Sequence, residues 1–109
     1  MKEATNDEAE KETGRLVSTR PVEKRAGERR QYVIDFSQQP EMARGETIVH
    51  VDVRSAPGLT LTEAIYNGAR AQVTIEDGEV GAVYHVVFTV ETDRGSRLVG
   101  DGKLKVIAD

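Results

Sequence analysis

The chain has 109 residues and a formal net charge of −4, with 31% charged and 38% apolar residues. This composition suits one domain with a modest core, and it contains no run of about 18 apolar residues that would form a transmembrane helix. The absence of cysteine excludes a disulfide framework and a thiolate metal site. With no apolar leader segment at the start, no secretory signal peptide is expected, and we expect synthesis in a cytosol.

Residues 1–30 are predicted to form a charged N-terminal arm or linker that is disordered alone. Residues 1–13 carry two lysines and five acids (net −3), whereas residues 14–30 carry six basic residues and two glutamates (net +4). Residues 1–13 have no apolar stripe that would hold them to a core, and residues 14–30, in which Leu16 and Val17 are the first apolar pair, have the composition of a linker. The basic block of residues 14–30 could bind a partner, or it could be a solvated linker without a partner. Nucleic-acid binding is disfavoured because no aromatic residue lies among the basic ones to stack on bases. The candidate partner-binding residues of the arm are Arg15, Leu16, Val17, Arg20, Lys24, Arg25, Arg29 and Arg30.

From Tyr32 onward, apolar and polar residues alternate with a period of two, which predicts half-buried β-strands. Turns are expected at Pro57-Gly58, at Asn67-Gly68, in the acidic loop 76–82 and at 92–96. Thr74 is expected to point outward, and Gly100 and Gly102 mark a bulge or a close approach of backbone. The residues assigned to the core are Tyr32, Ile34, Phe36, Val49, Val51, Val53, Ala71, Val73, Ile75, Tyr84, Val86, Phe88, Val90, Leu98, Leu104 and Val106.

Six or seven short strands without a helical period indicate an all-β protein, a β-sandwich or a small barrel, over residues 31–109. Tyr84 follows Gly81 and enters a late strand, as the tyrosine corner of immunoglobulin-like sandwiches does. This pattern predicts that the Tyr84 hydroxyl hydrogen-bonds back to the preceding loop. The expected fold is therefore an immunoglobulin-like β-sandwich preceded by an extended N-terminal arm.

The sequence contains no motif that indicates catalysis. His50 and His85 are expected on outward strand faces, and Asp52 shares the face of His50, but no third ligand completes a metal site. The acidic loop 76–79 lacks the ligand spacing of a calcium-binding EF-hand. There is no serine in a nucleophile elbow and no phosphate-binding loop before a helix. We therefore predict no enzymatic activity, no catalytic or metal site and no cofactor.

Three stretches, "YVIDFSQQPEMARGETI", "VRSAPGLTL" and "GEVGAVYHVVFTVETDRGSRLVGDGKLKV", resemble small structural proteins of tailed bacteriophages. These are the fiber–tail adaptor or neck-associated proteins with an immunoglobulin-like domain. The chain departs from their pattern at Phe36, where tryptophan is usual. The residues that carry the resemblance are Tyr32, Asp35, Phe36, Ser37, Gly45, Glu46, Thr47, Ile48, Pro57, Gly58, Leu59, Gly81 and Tyr84.

The resemblance implies a non-enzymatic component of a phage virion, made in the host cytoplasm and present in several copies in a symmetric assembly. Its sandwich and arm would dock onto neck, tail or fibre proteins, without membrane association. Alternatives are a capsid decoration protein and a carbohydrate-binding or adhesion module, for which Tyr66 is the one candidate aromatic residue. Residues expected to have structural roles are Tyr32, Phe36, Gly58, Gly81 and Tyr84.

Overall fold

The computed structural model describes the backbone of residues 15–17 and all of residues 22–109. Most of these residues lie in β-strands, which confirms the predicted all-β class. Among them, no helix is long and apolar enough to span a membrane. The elements are β1 (Arg15–Val17), β2 (Val22–Arg25), β3 (Arg30–Asp35), α1 (Pro40–Ala43), β4 (Ile48–Ser55), β5 (Leu59–Asn67), β6 (Arg70–Asp77), β7 (Val83–Thr92) and β8 (Arg97–Ile107).

The strands form two sheets that enclose one core. The three-stranded sheet has the antiparallel order β3–β6–β5. In the five-stranded sheet, β4, β7 and β8 are antiparallel neighbours, and both β1 and β2 pair in parallel with β8. The orders β3–β6–β5 and β4–β7–β8 correspond to strands B–E–D and C–F–G of immunoglobulin-like sandwiches. The predicted sandwich is confirmed.

Strand β2 begins the sandwich earlier than the predicted boundary at residue 31, since it pairs with Leu104–Ile107 of β8. The pattern of β2 gave no strand signal because its inward residue is charged. Lys24 is completely buried, and its ammonium group donates hydrogen bonds to the carbonyl oxygens of Arg25 (3.0 Å), Ala26 (3.1 Å) and Asp77 (2.7 Å). The predicted disorder of residues 1–14 and 18–21 concerns residues outside those that the structure describes.

The core contains most of the residues assigned to it by alternation. Tyr32 packs against Phe88 with ring centroids 5.9 Å apart. Gly100 is a close-approach position, as expected, because a Cβ there would lie 2.5 Å from the Cδ1 atom of Ile34. The buried apolar residues are Tyr32, Phe36, Ile48, Ala71, Val73, Ile75, Tyr84, Val86, Phe88, Val90, Leu98, Leu104 and Val106.

One assignment from alternation was wrong, and the error arises at a β-bulge. Val49 was predicted to share the core face of β4, but it is 49% exposed, because the register with β7 shifts between Ile48 and His50.

Thr74 points outward as predicted, opposite Gln31 and Thr62, but it is nevertheless buried. Its hydroxyl donates to Glu63 Oε1 at 3.1 Å, within the segment where the register of β5 also shifts.

The contact predicted for the tyrosine corner is present. The backbone N–H of Glu79 donates a 3.0 Å hydrogen bond to the hydroxyl of Tyr84. Gly58, in the β4–β5 turn, has φ +123°, and a Cβ there would lie only 2.7 Å from the Tyr84 hydroxyl oxygen. A side chain at position 58 would therefore conflict with both the backbone conformation and the corner.

The β5–β6 hairpin turns one residue later than predicted. Asn67 pairs with Arg70, so the two turn residues are Gly68 and Ala69 rather than Asn67 and Gly68. Gly68 has φ +64°, the positive value that the first position of a type II′ hairpin turn requires.

Candidate docking surfaces

Three half-exposed apolar residues line one depression at the three-stranded sheet, and we call them the apolar patch: Val33 and Ile65 on its outer face, and Tyr66, which lies opposite Ala71 at the edge of the sheet. Their exposed fractions are 48%, 52% and 45%. Val33 of β3 lies opposite Gln72 of β6, and Gln72 lies opposite Ile65 of β5. These three residues form a row across all three strands. Clustered exposed apolar side chains of this kind mark interaction surfaces.

The apolar patch borders a depression beside the β5–β6 turn. This depression has a volume of about 260 Å³. Its floor and walls combine apolar and polar groups, which suits contact with a protein surface better than burial of a small apolar molecule. The lining residues are Val33, Ile65, Tyr66, Asn67, Arg70, Ala71 and Gln72.

A turn at the end of β3 forms one border of the apolar patch. The backbone N–H of Ser37 donates to Asp35 Oδ1 at 2.8 Å, and Arg70 Nε lies 3.8 Å from Asp35 Oδ2. The hydrogen bonds from Ser37 lower the pKa of Asp35, and the positive charge of Arg70 adds to this effect. Asp35 therefore stabilises the turn after β3.

The outer side of the five-stranded sheet presents a charged groove of about 620 Å³. Arg54 Nε lies 2.8 Å from Asp52 Oδ2, and Arg97 Nη2 lies 3.0 Å from Glu91 Oε2. Solvent screens these exposed pairs, so they contribute little to stability. Because the charges are paired within the protein, the groove has no strong net charge with which to select a partner.

The two histidines do not combine into a metal site. Both are exposed, as predicted. His50 lies opposite Glu91, whereas His85 lies opposite Lys103, so the two sites are six residues apart along β7 (positions 85 and 91), about 20 Å. His85 Nε2 lies 2.7 Å from Oδ2 of the buried Asp101. Within residues 22–109, no group of three or more potential ligands could hold a metal ion.

The candidate residues of the arm that the structure describes differ in their surroundings. The backbone of Arg15–Val17 runs beside β8, whereas Arg20 lies outside the described residues. Lys24 is buried and is therefore unavailable to a partner. Three candidates remain exposed, although each contacts the sandwich: Arg25 donates to the carbonyl of Ala108 at 3.4 Å, Arg29 pairs with Glu76 at 2.8 Å, and Arg30 pairs with Glu28 at 3.6 Å.

The sequence did not indicate the structural role of Glu46, which connects two loops at the end of the sandwich that carries the apolar patch. Glu46 is buried and accepts a hydrogen bond from the Thr92 hydroxyl at 2.5 Å. This bond, with further help from Ser96 and from the charge of Arg44, lowers the pKa of Glu46. The one available signal was its position in the Gly-Glu-Thr-Ile motif of the phage resemblance.

A comparison with protein families finds a match over residues 24–104, from within β2 to within β8. The matching family is described as podophage GP4 fiber-tail adaptor protein gp77. The comparison with curated proteins gives no significant match.

Two solved structures resemble the chain in fold alone. The PKD domain from KIAA 1837 protein has a TM-score of 0.51 and 17% identity, over 82% of this chain and 81% of that one. A 2,6-sialyltransferase from a Vibrionaceae Photobacterium species has a TM-score of 0.50 and 14% identity, over 85% of this chain and 18% of that one. Both likenesses agree with the sandwich topology, and neither carries a function across to this chain.

Proposed function

The chain belongs to the podophage fiber–tail adaptor family, and from this premise we propose that it is a non-enzymatic virion component docking onto neck, tail or fibre proteins. The family match is the observation that carries the proposal, since it extends over residues 24–104 and thus over nearly the whole sandwich. Several copies would act in a symmetric assembly, after synthesis in the host cytoplasm.

The apolar patch supports docking by the sandwich. Val33, Ile65 and Tyr66 are each about half exposed in the isolated chain. Fully burying an aliphatic side chain of this size gains about 1.5–3 kcal/mol, so covering one that is half exposed gains roughly half as much. Three such residues beside a shallow depression suit a protein partner, which supplies a complementary apolar surface at its centre and polar groups at its rim.

The direction of β1 supports a second contact through the arm. Arg15 lies opposite Val99, near the start of β8. The turn residue Gly68 lies at the same end of the sandwich, because its carbonyl accepts a 3.0 Å hydrogen bond from the N–H of Ile48, and Ile48 pairs with Thr92 at the end of β7. The arm preceding Arg15 therefore starts from the end of the domain that carries the apolar patch.

A complementation experiment tests this function. Phage lacking the gene would be supplied with the wild-type protein, with Ile65→Glu or with the matched control Val80→Glu. Val80 is 54% exposed and lies in the β6–β7 loop, away from the apolar patch. Quantitative mass spectrometry of purified particles would measure the copies of this protein and of the fibre protein in each particle.

We expect Ile65→Glu to reduce both copy numbers at least tenfold, because a carboxylate would have to be desolvated in the contact, whereas Val80→Glu should retain both. Wild-type incorporation of Ile65→Glu would exclude the apolar patch as the contact. Fibre-bearing, infectious particles that lack the protein altogether would overturn the adaptor function.

A further inference from the structure

Among the described residues, β3 is the outer strand whose free edge is best suited to pair with another strand. The edge of β4 is interrupted by a register shift between Ile48 and His50, and that of β5 by a shift between Thr62 and Ile65. Such bulges obstruct pairing with a further strand. The edge of β8 is already covered by β1 and β2, which span only three and four residues. By contrast, β3 pairs with β6 over six consecutive residues without a shift.

The backbone groups on the free side of β3 can be identified from one hydrogen bond. The N–H of Phe36 donates to the carbonyl of Ala69 at 2.8 Å, toward the β6 side. In an antiparallel pair, the N–H and C=O of alternate residues point to the same side. The backbone groups of Gln31, Val33 and Asp35 therefore point away from β6, along the free edge.

We propose that this edge pairs with the same edge of a second copy of the chain. The two β3 strands run antiparallel, with Val33 opposite Val33 of the second copy, and the two three-stranded sheets join into one six-stranded sheet. The inference concerns the free protein in solution and does not depend on the adaptor role.

This register uses every free backbone group of β3. Gln31 lies opposite Asp35 of the second copy, Val33 opposite its equivalent, and Asp35 opposite Gln31, so the three pairs form about six hydrogen bonds. A shift by one residue would set outward side chains against inward ones, which the pleat does not allow. Tyr32 and Ile34 remain in the core of their own copy.

The outward side chains fit this arrangement. At each end of the pair, the amide of Gln31 can donate to the carboxylate of Asp35, and these are complementary groups. Arg29 lies opposite Ser37, so no like charges face each other across the two-fold axis. At the axis, the two half-exposed Val33 side chains cover each other.

The contact is one strand pair and is smaller than a standard interface, so we expect a reversible dimer with a Kd of about 0.1 mM. Sedimentation equilibrium of the full chain from about 0.01 to 1 mM should show the weight-average mass rising toward twice the monomer mass. In Val33→Lys, two like charges meet at the axis, and the rise should be lost.

Ile65→Lys is the matched control. Ile65 lies in the same row of the sheet as Val33, with a similar exposed fraction, but two strands away from the free edge. Edge pairing predicts that it dimerises like the wild type. Equal loss in both variants would indicate face-to-face packing of the apolar patch and overturn the proposal, as would a wild-type protein that stays monomeric at about 1 mM.

Cysteine cross-linking provides a second, independent test, because the chain contains no cysteine. Opposed residues of a hydrogen-bonded antiparallel pair have Cα atoms about 5.5 Å apart, within the disulfide range. Under mild oxidation near the Kd, Val33→Cys should form a reducible covalent dimer at least ten times faster than Ile65→Cys. Equal rates, or no dimer from Val33→Cys, would contradict the pairing. Circular dichroism of each variant verifies the fold.

Discussion

Replacing Lys24 by methionine tests how strand β2 is held to the sandwich. The ammonium group of Lys24 is buried and donates to three backbone carbonyls: that of Arg25 at the end of β2, that of Ala26 in the β2–β3 turn, and that of Asp77 at the end of β6. It therefore connects β2 of the five-stranded sheet with the last residue of β6 in the three-stranded sheet. Methionine keeps the unbranched apolar stem and removes the three donors.

Two opposing effects determine how much Lys24→Met changes the free energy of unfolding. Hydrogen bonds to a charged group contribute about 1.5–3 kcal/mol each, and the abandoned carbonyls lose their partner. Removing the ammonium also removes the cost of burying its charge, which offsets several kcal/mol of that loss. We therefore expect Lys24→Met to lower the free energy of unfolding by about 3 kcal/mol, which corresponds to a decrease in Tm of roughly 12–24 °C for a domain of this size.

Urea denaturation followed by circular dichroism would measure this difference. The matched control is Lys105→Met, because Lys105 is exposed and lies opposite Glu23 in the same pair of strands. The control should change the unfolding free energy by no more than about 0.5 kcal/mol. If Lys24→Met matched the control, the buried ammonium would contribute nothing net, and the explanation of β2 as part of the sandwich would be refuted.

Three further predictions concern the turns and can be measured in the same way. Gly58→Ala should destabilise the domain by about 2–4 kcal/mol, because alanine disfavours the positive φ and its Cβ would clash with Tyr84. In the control Gly45→Ala, φ is +95° but the space is open, so the loss of stability should be only about 1 kcal/mol. Equal losses in the two variants would exclude a contribution from the clash. Tyr84→Phe should cost about 1 kcal/mol by leaving the N–H of Glu79 without its acceptor; no loss would deny the corner a stabilising role. The pKa of Asp35 is lowered in the folded state. The stabilisation that Asp35 gives the folded state is therefore complete above its unfolded pKa of about 3.9, and it disappears as the pH falls through the folded pKa. The stability difference between the wild type and Asp35→Asn should therefore be constant above about pH 5 and shrink in acid, and a difference independent of pH would contradict the assignment.

The sequence predicted the later strands more accurately than the earlier ones. In β7, Tyr84, Val86, Phe88 and Val90 alternate strictly, and all four are buried. Where a bulge adds a residue, the period breaks without a mark in the sequence, which explains the error at Val49. A bulge depends on the register between strands, and this is a property of the folded pair rather than of either segment.

Strand β2 and the apolar patch could not be predicted for a related reason. Lys24 lies inside because three carbonyls converge on it, and their convergence depends on a turn and on a strand end 53 residues away. Similarly, Val33 and Ile65 become neighbours of one glutamine only when β3, β6 and β5 pair. Alternation indicates which residues point outward, but only the strand order indicates which of them lie together.

A cryo-electron microscopy reconstruction of the intact particle tests the central claim most directly. The adaptor function predicts density for this sandwich between tail and fibre proteins, with Ile65 and Tyr66 buried against a neighbouring virion protein. A particle in which the chain is absent, or in which both residues face solvent while fibres are attached, would contradict the account.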